Sequence, residues 1–187
     1  SLSGNRKHMK KKAKQPKKRV VTLFVESFIS SGIKSIHAMV RAATVCAIAD
    51  LLEQQGYSCE IVSIMTNVVG ARNLRTGAQC AIILKQSSDR LNLSDVAFSL
   101  GHPSYFRRMI FAAMGSSDEC SPIWKTMGYP TKAFDKEHPV KNNEFYIRQL
   151  HIDDHHVLKN CKSLKEMSTV MLPLIKPVNL PIEIKEI

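Results

Sequence analysis

Residues 20–25 read VVTLFV, a continuous apolar run rich in β-branched side chains that is typical of a central strand buried on both faces. Residues 36–55 follow as a predicted amphipathic helix, and Gly56 ends it. Residues 59–64, CEIVSI, then predict a second strand, with a link short enough for a right-handed parallel crossover. These segments predict the opening unit of an open α/β sheet, in which residues 26–35 form the ligand-competent loop.

The later segments continue this α/β pattern. Residues 79–85 follow the second strand across a glycine-bounded turn without an intervening helix, which predicts an antiparallel hairpin at the sheet edge. The sequence beyond it predicts two short helices, a surface excursion broken by prolines, a strand and a last helix, at residues 92–100, 103–114, 116–142, 144–150 and 164–175. The predicted fold is a three-layer α/β/α domain with a mostly parallel sheet.

Charge divides the chain into two parts. The formal net charge is +11, and nine basic residues with no acid precede Val20, which leaves 18 basic and 16 acidic residues for the rest. We therefore predict a flexible basic tail over residues 1–18 and a single α/β domain over residues 19–187. Because the chain starts with Ser1, it is also consistent with a fragment of a longer protein or with a processed tag.

Composition excludes several classes of protein. No apolar run approaches the roughly 18 residues that span a bilayer, and no secretion signal is evident, so we expect a cytoplasmic protein without membrane insertion. Five cysteines are an odd number, are widely spaced and form no C-x-x-C pair. We predict that they are reduced core residues: Cys46, Cys59, Cys80, Cys120 and Cys161.

The order of these elements resembles a von Willebrand factor A-like domain. Three segments also resemble a family of phage, plasmid and bacterial proteins of unknown function with such a core. They are residues 2–5 (LSGN), residues 41–43 (RAA) with 51–57 (LLEQQGY), and residues 91–93 (LNL) running into 97–103 (AFSLGHP) with 106–108 (FRR) and Phe111. The resemblance implies the cytoplasm of a bacterium or of an infected host cell. By analogy, it also implies assembly with other proteins, including AAA+ ATPases.

The resemblance also implies a place for a metal site. Von Willebrand A-type sites hold Mg²⁺ through an acid and two serines spaced D-x-S-x-S after the first strand, and through an aspartate after a later strand. Glu26 and Ser30 occupy the first and last motif positions, whereas Phe28 stands at the middle serine. We therefore expect a degenerate metal-ion-dependent adhesion site and no resident cofactor, with a divalent metal as the alternative.

The densest group of possible ligands is at residues 151–156, HIDDHH. Asp153 and Asp154 follow the strand predicted at residues 144–150, and His155 adds an imidazole that suits zinc or another transition metal. A metal-dependent hydrolase that uses Asp153 and His155 is therefore one alternative function. The preferred interpretation is a polar strand-to-helix loop, because neighbouring loop residues point in several directions and no distant second ligand pair is evident.

Basic residues suggest another alternative, a nucleic-acid-associated protein. Arg107 and Arg108 could bind phosphate, with Tyr105 or Phe106 stacking on bases. The preferred interpretation is structural, with Phe106 in the core and one arginine paired with a buried acid. The candidate residues for binding nucleic acid or an acidic partner are Lys10, Lys11, Lys12, Lys14, Lys17, Lys18, Arg19, Arg107 and Arg108.

Motifs for covalent catalysis are missing from the sequence. It contains no G-x-S-x-G elbow, no G-x-x-x-x-G-K phosphate loop and no cysteine beside a clear activating histidine, so no catalytic residue is predicted. We predict a non-enzymatic protein-interaction module of a phage or bacterial cytoplasmic protein.

Overall fold

The structure is a computed structural model that describes residues 19–27, 33–69, 76–110, 112, 115–116, 129–130 and 143–175. The elements in chain order are β1 (Val20–Glu26), α1 (Ser35–Gln54), β2 (Ser58–Val69), β3 (Thr76–Lys85), α2 (Leu93–Gly101), a π-helix (Tyr105–Ile110), β4 (Tyr129–Pro130), β5 (Glu144–Ile147), α3 (Ile152–Lys159) and α4 (Leu164–Ile175).

The described strands form one mixed sheet with the order β3-β2-β1-β5. β1 is parallel to both of its neighbours, β2 and β5, as expected for the apolar run at its centre. β3 is antiparallel to β2 at the edge, which confirms the predicted hairpin. β4 also pairs antiparallel with β2, at Asn67 and Val68. It was not predicted, because a strand of two residues has no periodicity to detect.

The main core lies between one face of the sheet and the helices. Alternate β1 side chains, those of Val21, Leu23 and Val25, belong to this core because successive strand residues point to opposite faces. Residues of α1, α2, α3 and α4 pack on the same side. Met65 of β2 and Tyr105 of the π-helix form a smaller cluster beside it.

The described helices therefore form a single layer on one face of the sheet. The α/β class with a mixed open sheet is confirmed, but the described part of the chain shows two layers and contains no second helical layer. Val62 and Ile64 of β2, which point to the opposite face, are nevertheless buried. α1 is long and apolar enough to match a membrane span by length and composition. Eleven of its 20 residues are buried within the domain.

Several predicted elements differ from the structure, beginning with β2 and β3, which extend over Ser58–Val69 and Thr76–Lys85 and are longer than predicted. α1 begins at Ser35 instead of at residue 36. Its N-cap residue is Lys34, whose side chain forms no capping hydrogen bond. The strand predicted at residues 144–150 ends at Ile147, since the carbonyl of Arg148 accepts from Arg41 instead of from a neighbouring strand. The helix predicted at residues 103–114 contains a π-helix over Tyr105–Ile110.

The prediction of a polar loop over residues 151–156 is wrong, because α3 begins at Ile152. The backbone N–H of His151 donates to the carboxylate of Asp154 at 2.7 Å. A carboxylate in the first turn satisfies a free backbone donor and interacts favourably with the helix dipole. The dense polar sequence obscured this helix, in which Leu158 is the fully buried apolar anchor.

The close crossing of α1 and α2 depends on Gly101, the last residue of α2. A Cβ atom at this position would lie 2.9 Å from the Cβ of Ala42 and 3.1 Å from the Cα of Met39. These distances are shorter than van der Waals contact, so a side chain here would force the helices apart.

We expect Gly101→Ala to lower the free energy of unfolding by about 1 to 3 kcal/mol, because the added methyl group overpacks the crossing. Equilibrium unfolding in urea measures this loss. Gly115→Ala is the matched control, since a Cβ there meets no atom within 4 Å and should not destabilise the domain. Equal effects of the two substitutions would contradict the steric explanation.

Candidate functional site

The sheet has a topological switch point between β1 and β5. The chain leaves β1 through α1 towards β2 on one side, while β5 lies on the other side of β1. Both strands are parallel and end next to each other, at Glu26 and Ile147. Ligands of open α/β sheets bind outside the carboxyl ends of strands at such a point, so a ligand site is expected at this edge of the sheet.

The guanidinium of Arg41 occupies this edge. Arg41 is on α1 and is 1% exposed. Its Nη2 donates to the backbone oxygens of Glu26 at 2.6 Å and of Arg148 at 2.9 Å, with a longer contact of 3.4 Å to that of Ile147. Nε donates to the Arg148 oxygen at 3.2 Å. One side chain thus joins α1 to the ends of both strands.

Burial affects the charge of Arg41. Loss of water lowers the pKa of Arg41 to about 10, while the nearby charge of Glu26 opposes this change. The guanidinium therefore remains positively charged near neutral pH. Its Nη1 atom is buried and has no hydrogen-bond partner among the described residues.

Glu26 connects the same two strand ends through its side chain. It is fully buried at the last position of β1. Its Oε2 accepts hydrogen bonds from the hydroxyl of Tyr146 and from the backbone N–H of Gln149, the latter at 3.3 Å. The carboxylate therefore accepts from a side chain of β5 and from the backbone of the segment that follows β5. No neighbouring strand would satisfy these donors.

Arg148 and Asp154 form an ion pair between this segment and α3. Nη1 and Nη2 of Arg148 donate to the two carboxylate oxygens at 2.6 and 2.8 Å. Burial alone would raise the pKa of Asp154, but the hydrogen bonds from Arg148 and from the His151 backbone lower it below its ordinary value. We call Glu26, Arg41, Tyr146, Arg148, Gln149 and Asp154 together the Arg41 cluster.

Two histidines lie beside the Arg41 cluster. The Nδ1 atoms of His37, in the first turn of α1, and of His155, on α3, are 3.1 Å apart. Burial, followed by the charges of His155 and Lys34, lowers the pKa of His37.

On the other side of β1, the hydroxyl of Ser63 donates to that of Ser27 at 2.7 Å. Ser27 in turn donates to the Val25 carbonyl.

The structure brings together only part of the predicted metal set. Glu26 and Asp154 both belong to the Arg41 cluster, and His155 contacts His37. Asp153 is exposed on α3, and Ser30 lies outside the described residues. Across the described ranges, no three His, Cys, Asp or Glu side chains are placed to hold one metal ion.

The predicted basic set is largely outside the described residues. Of its members, Arg19 and Arg108 are exposed, and the side chain of Arg107 is not among those described. The six lysines of the tail precede residue 19. The four cysteines within the described ranges are free thiols, of which Cys46 and Cys59 are buried and Cys80 and Cys161 are half-buried. Burial raises the pKa of Cys46 to about 11 and that of Cys59 to about 12, so neither thiol is an activated nucleophile.

Sequence reasoning missed Arg41, Tyr146 and His37 as members of this region. Arg41 was visible only as a polar interruption in an apolar helix, and Tyr146 alternates with core residues along β5 as any strand residue does. A basic residue on the mostly buried side of a helix is the signal that could have identified Arg41, because such a charge requires several acceptors.

A family model described as Domain of unknown function (DUF7192) matches residues 1–171. The chain belongs to this family. The match covers the tail, all five described strands and most of α4, so the DUF7192 family includes every residue of the Arg41 cluster. No match was found among curated proteins or among solved structures.

The contacts of the Arg41 cluster indicate an internal brace for this DUF7192 domain. Each charged member has a partner within the cluster or in the backbone at the strand ends. A general acid or base needs a side chain that can reach a substrate, and a metal needs free ligand oxygens. The cluster uses these groups to hold β1, β5, α1 and α3 together.

We expect both Arg41→Met and Arg41→Lys to lower the free energy of unfolding by about 3 kcal/mol or more, because each leaves buried acceptors unsatisfied. Lysine keeps the charge opposite Glu26 but cannot donate in a fork to the Arg148 oxygen. Urea unfolding measures both changes, and Arg108→Lys is the control because Arg108 is exposed. A fully stable Arg41→Lys variant would show that charge alone suffices.

Proposed function

We propose that this DUF7192 domain is a non-enzymatic protein-interaction module of a phage or bacterial cytoplasmic protein. The observation that carries the proposal is an exposed apolar surface where α1 and α2 cross. Met39 is 53% exposed and Phe98 is 44% exposed, and Ile36 is exposed one turn before Met39. The charged side chains at the nearby carboxyl edge, in contrast, each form at least one hydrogen bond within the domain.

These side chains belong to one region of the surface. The Cα of Met39 lies next to Gly101, and Phe98 is one turn before Gly101 on the same helix. The ring of Phe98 stacks on the exposed ring of His102, with centroids 5.1 Å apart. We call Ile36, Met39, Phe98 and His102 the α1–α2 surface.

The chemistry of the α1–α2 surface favours an apolar segment of another protein. Phe and Met are enriched in the buried centres of protein interfaces, and clustered apolar side chains on a surface commonly mark such contacts. α1 also exposes Ala43 one turn beyond Met39, so its outer face offers no charge over these two turns. Of these four side chains only His102 can carry a positive charge, so a phosphate backbone or other polyanion would find a single basic partner here.

We also propose that the core is von Willebrand A-like. The strand order β3-β2-β1-β5, with β3 antiparallel at the edge, supports this proposal. In this interpretation the metal position after β1 is degenerate, and Glu26 instead accepts hydrogen bonds from Tyr146 and Gln149. Partner binding would then use apolar contact in place of a metal-bridged carboxylate, with AAA+ ATPases among the candidate partners by analogy.

A photo-crosslinking side chain placed at Met39, in cells that carry the gene, should capture a partner that the same group at Leu164 does not. Leu164 is the matched control because it is an apolar side chain that is 60% exposed on a different helix, α4. The captured protein is then purified and its affinity measured by calorimetry. We expect Met39→Glu and Phe98→Glu each to weaken binding at least tenfold, which corresponds to about 1.4 kcal/mol.

Leu164→Glu should leave the affinity for that purified partner within about twofold, because rim or distant substitutions contribute little. A domain whose Met39→Glu and Phe98→Glu variants both bind with unchanged affinity would contradict the proposal. Sedimentation of the full chain over a concentration series distinguishes a second copy as the partner, since self-association would then be lost in the same two variants.

The charge distribution favours a second candidate function, association with nucleic acid through the tail. Nine basic residues without an acid before Val20 would neutralise several phosphates, and Arg19 at the start of the described domain is exposed. Such binding depends on charge alone and would be independent of the α1–α2 surface.

Deletion of residues 1–19 should abolish binding to DNA and RNA if the tail is the contact. In the full chain, fluorescence anisotropy over a salt series should show affinity that falls steeply, since each neutralised phosphate releases counterions. Met39→Glu serves as the control, because this substitution should not change the affinity of the full chain for nucleic acid. Absence of binding to either nucleic acid at low salt would exclude this function.

A further inference from the structure

The only contact between two imidazoles of neighbouring helices in the described residues joins α1 to α3. His37 is 2% exposed, and His155 is half-buried. Their Nδ1 atoms are 3.1 Å apart, their ring centroids are 4.9 Å apart and the ring planes are tilted by 49°. This Nδ1 to Nδ1 distance is that of a hydrogen bond in which one ring donates and the other accepts.

We propose that His37 and His155 share one proton between their Nδ1 atoms and that this bond is a pH-sensitive latch between α1 and α3. The latch requires at least one Nδ1 atom without a proton. With both rings neutral, one Nδ1–H donates to the other Nδ1. With one ring charged, the imidazolium can still donate, whereas two imidazolium rings place two N–H groups and two positive charges against each other.

The charges around the pair disfavour the doubly protonated state. On the α1 side, Lys34 precedes His37, and Arg41 lies one turn beyond it with its guanidinium bonded to backbone oxygens. On the α3 side, His156 lies with its ring 6.1 Å from that of His155. Asp154 is the acid nearest in sequence, and Arg148 already neutralises it.

The direction of the stability change follows from His37. Burial first, and then the charges of His155 and Lys34, lower the pKa of His37 below 6.5 in the folded domain. Between that lowered pKa and 6.5 the unfolded chain binds more protons than the folded chain. The contribution of neutral His37 to the free energy of unfolding is therefore fully present above about pH 6.5. This contribution is lost as the pH falls from 6.5 towards the folded pKa of His37.

Opening of the latch should be local. Leu158 anchors α3 in the main core, and the ion pair of Arg148 with Asp154 holds the first turn of α3. Because the pKa of Asp154 is lowered from its ordinary value near 3.8, this ion pair persists throughout the range in which histidine titrates. Acidification then loosens the first turn of α1 against α3 without detaching α3.

The test uses the full chain with a chelator present, so that no metal ion bridges the two rings. Urea unfolding from pH 8 to pH 5 gives the unfolding equilibrium constant of the parent protein and of His37→Gln, His155→Gln and His156→Gln. If the unfolded chain binds one more proton than the folded chain, this constant rises by up to tenfold for each unit by which the pH is lowered below about pH 6.5. We expect His37→Gln to remove this component and His155→Gln to reduce it.

His156→Gln is the matched control, because His156 is exposed on the same helix and is not among the causes that lower the pKa of His37, so this variant should retain the parent slope. NMR titration of the imidazole rings provides a readout that does not depend on unfolding, including for any variant that folds poorly. The inference is overturned if His37 titrates at or above 6.5 in the parent protein, or if His37→Gln and the parent have the same pH slope. The inference is supported if the protection of backbone amides against hydrogen exchange, relative to their intrinsic rate, falls at acidic pH in the first turn of α1 but not in α4.

Discussion

The fork of hydrogen bonds from Arg41 to the backbone oxygens at the ends of β1 and β5 is the constraint on which the rest of the structure depends. A buried guanidinium is costly unless acceptors surround it, and here the acceptors are carbonyls that have left the strand ladder. The charge therefore determines where β5 stops and how α1 lies across the sheet. Glu26 completes the arrangement by accepting from Tyr146 and Gln149 at the same edge.

This constraint separates the internal chemistry of the domain from its surface. The switch point at which open α/β sheets bind ligands is here filled by a side chain of the domain itself. Filling it brings β1, β5, α1 and α3 together. Within the Arg41 cluster, Arg148 and Asp154 pair with each other, whereas Arg41 and Glu26 bond to neutral groups of the domain. Recognition is then expected on the outer side of α1, where Met39 and its neighbours are exposed, so the same helix contributes a brace on one side and a contact on the other.

The sequence predicted the elements whose periodicity is strong, and it failed where specific polar contacts, and not an apolar periodicity, decide the local structure. The apolar run of β1, the helix ended by Gly56 and the edge hairpin each follow from patterns within one segment. α3 was predicted as a loop because its first turn is organised by Asp154 through Arg148, six residues earlier in the chain. Arg41 could not be predicted as a site residue, since its acceptors lie in two distant segments, at Glu26 15 residues earlier and at Ile147 and Arg148 more than 100 residues further along the chain.

The first two turns of α1 contain the Arg41 brace, the proposed latch and the proposed partner contact on two sides of one helix. His37 and Arg41 are four residues apart and share the inner side of the helix, facing α3 and the strand ends, whereas Met39 lies about 200° around the axis from His37. A partner on Met39 and a proton on His37 would therefore act on one short rigid segment from opposite sides. If a partner binds more tightly when the His37–His155 bond is closed, linkage requires that the same partner lower the pKa of the pair by the equivalent free energy.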